Sequence, residues 1–238
     1  MQKCAIDRWL NEGVLFFILV VPLLLSGCGS ADSSLPVFNV TGTWYMFHAT
    51  SGTAGEEGPD LFTFTQTDND LIGTTSQGDA LAGTTSKLDI SFSWTTSDGT
   101  LYTYVGAVSA NGFTITGTWN NSIQQSGTWA GIYNTPPSVN VDGTWDTFLT
   151  DLSQTGTTEE GPFPATFTQT DNAVSGTTSE GQQITGAVSR LSILFFETGS
   201  NGVTYTLIGS LNSTGNSMTG SWTATNGQSG IWRAAKTS

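Results

Sequence analysis

The chain states one pattern twice. Residues 40–132 and 141–232 both open with Gly-Thr-Trp (Gly42–Trp44, Gly143–Trp145) and both carry Glu-Glu-Gly-Pro (Glu56–Pro59, Glu159–Pro162). Both continue with Thr-Phe-Thr-Gln-Thr-Asp-Asn (Thr63–Asn69, Thr166–Asn172) and Gly-Thr-Thr-Ser (Gly73–Ser76, Gly176–Ser179). From Glu56 to Trp129 the second copy follows at a constant offset without a gap, and about half of the positions are identical. Solenoid units run to roughly 20–45 residues, so two copies of this greater length are two domains of one fold.

Within each copy, short runs alternate apolar and polar residues. Phe62, Phe64 and Gln66 share one phase, with Thr63, Thr65 and Thr67 on the other; Leu88, Ile90, Phe92 and Trp94 alternate with Asp89, Ser91 and Ser93. Period-two alternation predicts half-buried antiparallel strands. Turn residues stand between the runs: Asp68-Asn69-Asp70, Ser97-Asp98-Gly99 and Asn111-Gly112 in the first copy, Asn201-Gly202 and Thr214-Gly215 in the second. No helical period runs through residues 40–238. The expectation is all-β: two tandem eight-stranded antiparallel up-and-down barrels, which remove sheet edges by closure. A two-sheet sandwich of immunoglobulin type is the alternative; the short hairpin-like loops favour the barrel. Glycines recur on the inward phase (Gly73, Gly83, Gly106, Gly117 and Gly176, Gly186, Gly209, Gly220), where they let strands coil and leave room for aromatic rings. The expected organisation is a signal peptide at 1–27, a lipidated cysteine and flexible tether at 28–39, a first barrel at 40–133, a Pro136-Pro137 linker at 134–140 and a second barrel at 141–235.

Lys3 and Arg8 precede an apolar run, Val14–Leu25, that ends in Leu25-Ser26-Gly27-Cys28. A spanning helix needs roughly 20 apolar residues, and Pro22 interrupts this one. The segment resembles the bacterial lipobox, which implies cleavage before Cys28 and lipid attachment to Cys28. The plain alternative is a secretory signal with a chance cysteine. Gly29 resembles the outer-membrane sorting pattern, which implies a lipid-anchored protein of the bacterial envelope, in the outer membrane. Cleavage removes Cys4, leaving Cys28 without an intrachain disulfide partner.

The net charge is −13, and beyond the signal only Lys87, Arg190, Arg233 and Lys236 are basic. Nucleic acid would be repelled. An anionic membrane surface would be repelled as well, leaving the lipid as the anchor.

Thr41-Gly42-Thr43-Trp44-Tyr45 resembles the opening strand of the bacterial avidins. Leu71-Ile72-Gly73-Thr74 is similar to their third strand, Ser91-Phe92-Ser93-Trp94 to the fifth, and Phe113–Trp119 to the seventh. The resemblance, shared with the wider lipocalin-like group, covers nearly the whole of each copy. It implies an up-and-down barrel with an interior ligand. In avidins biotin lies among tryptophans of the later strands; Trp94, Trp119 and Trp222 match such positions and Tyr104 lies near another. Glu197 and Leu207 stand where the second copy would repeat Trp94 and Tyr104, and Thr75 and Thr178 replace the family's third-strand Tyr. The polar half of a biotin site is not recovered.

The candidate ligand-binding residues are therefore Trp44, Gln66, Trp94, Tyr104 and Trp119 in the first barrel, and Trp145, Gln169 and Trp222 in the second. Each has a structural alternative. The tryptophans, with Trp129 and Trp232, fill an eight-stranded interior that is just wide enough for side chains. A glutamine on the apolar phase ties down a turn. Because Trp94 and Tyr104 are aromatic in the first copy only, the first barrel is the expected binder. Glu56, Glu57, Glu159 and Glu160 are weak candidates for Ca²⁺, without an EF-hand spacing; a solvated turn at the mouth is the plainer reading. His48 is the sole histidine, and the parts of a Ser-His-Asp triad, a zinc site or a cysteine nucleophile do not assemble around it. No cofactor and no enzymatic activity are expected. The expected function is non-catalytic binding of a small apolar or amphipathic ligand in the barrel interior. The alternative is a structural or interaction module whose filled barrels contact envelope proteins or glycans.

Overall fold

The computed structural model describes residues 38–53, 55–153 and 158–237. Cys28, the signal segment and most of the tether lie outside these residues. The described chain is all-β. The first eight strands are β1 (Gly42–Thr50), β2 (Glu56–Thr67), β3 (Asp70–Thr74), β4 (Ala80–Ser86), β5 (Asp89–Thr95), β6 (Leu101–Val108), β7 (Thr114–Asn121) and β8 (Ser126–Tyr133). The second eight are β9 (Gly143–Asp151), β10 (Glu159–Thr170), β11 (Ala173–Thr178), β12 (Gln183–Ser189), β13 (Ser192–Thr198), β14 (Thr204–Leu211), β15 (Ser217–Ala224) and β16 (Ser229–Lys236). Each strand pairs antiparallel with its sequence neighbours, and β1–β8 and β9–β16 close two barrels. No strand crosses between sheets, so the sandwich is excluded and the up-and-down barrel stands.

The turns follow from their residues. Thr67 pairs with Asp70 and Thr170 with Ala173, leaving two-residue turns whose first residues, Asp68 and Asp171, are left-handed at φ 53°. Asp tolerates that conformation better than most side chains. Inside each barrel, paired glycines make space for a tryptophan. Gly106 faces Gly117 across β6 and β7, and a Cβ on Gly117 would stand 2.7 Å from Trp129 Nε1. The Trp129 indole N–H thus reaches the backbone, donating to Val105 O at 3.1 Å and Thr118 O at 3.2 Å. Trp232 repeats this with Ile208 O and Ser221 O.

Glu-Glu-Gly-Pro departs from its expected turn. Those residues begin β2 and β10, which pair with β1 and β9 through a bulge. Gly58 occupies φ +127°, and a Cβ there would stand 2.6 Å from Met46 O. Only glycine allows the chain to continue as a strand past this bend.

The two barrels meet through side chains on their outer faces. Phe47, Ala130 and Ile132 of β1 and β8 pack with Ala187, Leu194 and Phe196 of β12 and β13. Phe47 stacks on Phe196 with centroids 4.9 Å apart. Asn111 reaches Ser192 at 3.2 Å, Arg190 lies over the Phe113 ring at 5.2 Å, and the Thr185 hydroxyl bonds Glu56. The linker is docked as well. Ser138 N donates to Arg190 O at 2.9 Å, and Asn172 Nδ2 donates to Thr135 O at 2.5 Å. These strands are buried on both faces, and their alternation is lost where the outer face is covered.

Candidate functional site

In both barrels the end near the start of β1 or β9 is closed. Trp44 and Trp145 are fully buried there, and their indole N–H groups donate to Val40 O and Val141 O, both at 2.9 Å. Gln66 accepts from Val40 N at 3.0 Å and donates to Asp68 O at 2.9 Å. Gln169 does the same with Val141 N and Asp171 O. Trp44, Trp145, Gln66 and Gln169 therefore cap the closed end rather than line a cavity. Each Gln has to satisfy its amide where the incoming chain crosses the first turn, and backbone groups supply both partners.

The opposite ends are open, and here the barrels part. The second barrel holds a cavity of about 340 Å³. Its floor is apolar: Ala165, Phe167, Phe195, Leu207, Met218 and Trp232. Its mouth is formed by the start of β10 with Glu160 and Phe163, the β11–β12 turn with Ser179, Glu180 and Gln182, and the β13–β14 turn with Ser200 and Asn201. Glu197, Tyr205 and Trp222 stand on the wall between them. Burial holds the Glu197 carboxyl above the usual carboxylate range, and the charge of Glu180 adds to the shift.

The first barrel has a cleft of about 280 Å³ at the same end, lined mainly by polar residues such as Glu57, Asp60, Asp79, Thr96 and Gln125. Below it the interior is filled. Tyr104 stacks on Trp94 with centroids at 4.6 Å and on Phe92 at 5.0 Å, and Phe62 meets Trp94 edge-on at 5.2 Å. His48 lies edge-on to Tyr104 at 5.3 Å. Its burial lowers the imidazole pKa to about 4, against a smaller opposing pull from Asp60, and its Nε2 has no hydrogen-bond partner among the described residues. Burial pushes the Tyr104 phenol up, with the charges of Tyr102, Asp60 and Glu57 adding.

Trp94 and Tyr104, which directed the sequence reading to the first barrel, line its cleft, and their stacked rings fill the interior below. The strand register places Ala165 where the first copy has Phe62, Glu197 where it has Trp94, and Leu207 where it has Tyr104. The deeper apolar cavity consequently lies in the second barrel. Trp119 and Trp222 line the cleft and the cavity respectively. Both are 5% exposed, and both have an indole N–H without an acceptor. Ala165, Leu207 and Met218 were missed as lining residues. For Ala165 and Leu207 the signal was a small or aliphatic residue where the first copy has an aromatic at equal phase; Met218 stands at the place of Ile115 and carried no such signal.

The glutamate pairs do not form a cation cage. Neighbouring strand residues point to opposite faces. Glu57 and Glu160 turn to the open ends. Glu56 bonds Thr185, and Glu159 makes a two-pronged pair with Arg233 at 2.7 and 2.8 Å. Among the described residues no group of three His, Cys, Asp or Glu side chains is placed to hold a metal ion.

No family model matches the chain, and no curated protein matches it. Among solved structures it is similar to a DUF3598-family protein of unknown function from Nostoc punctiforme PCC 73102, at 9% identity over 83% of this chain and 96% of that one, with a TM-score of 0.26. It is also similar to the Burkholderia oklahomensis agglutinin, at 10% identity over 87% of this chain and 99% of that one, with a TM-score of 0.23. Neither likeness assigns a function.

Proposed function

We propose that the protein is a lipid-anchored component of the bacterial envelope whose second barrel binds a small apolar or amphipathic molecule without chemical conversion. The observation that carries this reading is the cavity of about 340 Å³ opened where Ala165, Glu197 and Leu207 replace the first barrel's aromatics. Small-molecule sites typically enclose roughly 300–1,000 Å³ with an apolar lining and a few polar groups. The lipobox-like segment ending at Cys28 supports the anchor. Among the described residues no cavity-lining side chain is His, Cys, Lys or Arg, so a Ser-His or Cys-His pair is not assembled there.

The first barrel supports a second reading for itself. Its stacked interior and polar cleft suit a structural partner, which presents the β1–β8 face that seats the second barrel.

A fluorescence titration with the neutral apolar probe N-phenyl-1-naphthylamine tests the assignment. The native chain is expected to bind, with a saturable rise in probe emission. Ala165→Phe combined with Leu207→Tyr restores the first barrel's filling and is expected to weaken binding by at least about tenfold. Probe binding that survives this filling, or that is lost with Phe62→Ala in the first barrel instead, would remove the second-barrel cavity as the site.

A further inference from the structure

We propose that the second-barrel cavity selects an amphipathic cation, an apolar body bearing a protonated amine or a quaternary ammonium, with Glu197 as its counter-ion. This rests on the reading of that cavity as a binding site and names the chemistry it recognises.

Three carboxylates, Glu160, Glu180 and Glu197, line the cavity, and no basic side chain does. Glu197 makes no hydrogen bond or ion pair with any described residue. Glu197 is partly buried, and a carboxylate partly withdrawn from water without a partner is unfavourable. The barrel itself does not require it, because the first copy carries Trp94 at the same place in the same strand pattern. The carboxylate therefore serves something that the apolar side chain would not, and a ligand cation is the group that satisfies it.

The walls around it agree. Tyr205 pairs with Glu197 across β13 and β14. Its ring lies 5.8 Å from that of Trp222, which places two aromatic rings on the cavity wall that carries the carboxylate. Aromatic faces attract cations, ammonium and quaternary ammonium included. An apolar molecule ending in a carboxylate would meet like charge at the mouth, on a chain whose net charge is −13.

The carboxylate form of Glu197 is the one that pairs with a cation. Its pKa is raised, so cation affinity should increase as pH rises through that titration. The other titratable groups facing it across the cavity are Glu180 from the β11–β12 turn, Glu160 from β10 and Tyr205 from β14. None of them is basic.

Calorimetric titration of the full chain at pH 7.5 with octylamine, 1-octanol and octanoate separates charge from apolar body. Octylamine should bind at least about tenfold tighter than octanol, and octanoate more weakly than octanol. Glu197→Gln should bring octylamine to within about twofold of octanol on the same variant, and an unfolding midpoint no lower than the native chain's shows that it is folded. Equal affinities for amine and alcohol, tighter binding of octanoate, or an amine preference that survives Glu197→Gln would overturn the proposal and leave the cavity reading standing. If neither the neutral naphthylamine probe nor any of the three ligands binds, the binding reading itself falls, and this proposal with it.

Discussion

The two barrels are built on one strand plan and differ in what fills it. In the first, Phe62, Trp94 and Tyr104 join Phe92 in a stacked cluster beneath a largely polar cleft of about 280 Å³. In the second, Ala165, Glu197 and Leu207 occupy the matching places, and the space becomes a cavity with an apolar floor. The closed ends do not change: the Trp caps, the Gln ties and the Trp129 and Trp232 wedges repeat. Backbone closure and glycine spacing thus define the container, and a few inward side chains decide whether it is occupied.

The outer faces differ as sharply. Phe47, Ala130 and Ile132 of the first barrel are buried against the second. The corresponding β9 and β16 positions hold Phe148, Arg233 and Ala235, with Arg233 stacked 3.8 Å over Phe148 and paired with Glu159. Leu194 and Phe196 of the second barrel correspond to Ser91 and Ser93 of the first. One face of each barrel is made apolar and its counterpart on the other is kept polar.

Substitutions at matched places test these contrasts, the largest effects coming from groups common to both barrels. Trp44→Ala should cost about 3–5 kcal/mol in urea unfolding, because a fully packed site cannot collapse around the loss. Trp222→Ala, whose ring has the cavity on one side, should cost about 2 kcal/mol or less. Equal losses would mean that the open end of the second barrel is packed as tightly as the closed end of the first. The outer faces should separate as well. Phe47→Ala should destabilise by about 3 kcal/mol and loosen the two barrels, detectable by limited proteolysis of the linker. Phe148→Ala should cost below about 1 kcal/mol, since its main partner is an exposed guanidinium.

Acid should weaken the first barrel through His48. Its folded pKa of about 4 lies below the ordinary imidazole value of 6.5, so the unfolded chain takes the proton first. Stability is then lost as pH falls from 6.5 toward 4, by up to about 3 kcal/mol. His48→Leu, which copies Leu149 of the second barrel, should abolish that part of the pH dependence in denaturant midpoints. The smallest effect belongs to Glu197. Its folded pKa is raised, so the ligand-free chain is stabilised at low pH and loses that stability as pH rises through the folded value. Glu197→Gln should raise the thermal midpoint slightly at pH 7.5 and leave it unchanged below the ordinary carboxylate range. A lower midpoint at pH 7.5 would show that the carboxylate supports the fold.

Local pattern sufficed for the plan of the molecule. Alternation in Phe62–Thr67 and Leu88–Trp94, with turns at Asp68-Asn69 and Asn111-Gly112, is a short-range signal, and the duplication repeated it, so strand number and closure could be read before any coordinates. The Gln66 and Gln169 ties were legible as the plainer of two readings. The cavity was not, because it depends on the summed volume of side chains from strands far apart in sequence. Trp94 and Tyr104 look the same in a sequence whether they line a pocket or fill one. The run Ile193-Leu194-Phe195-Phe196 did carry a signal of burial on both faces, but its partner, the Phe47 face of the other barrel, is chosen only by folding. Alternation and turn chemistry act between residues a few places apart, and so the chain's own order encodes the barrels. Occupancy and docking arise from contacts across the closed barrel and between barrels, and only the three-dimensional packing settles them.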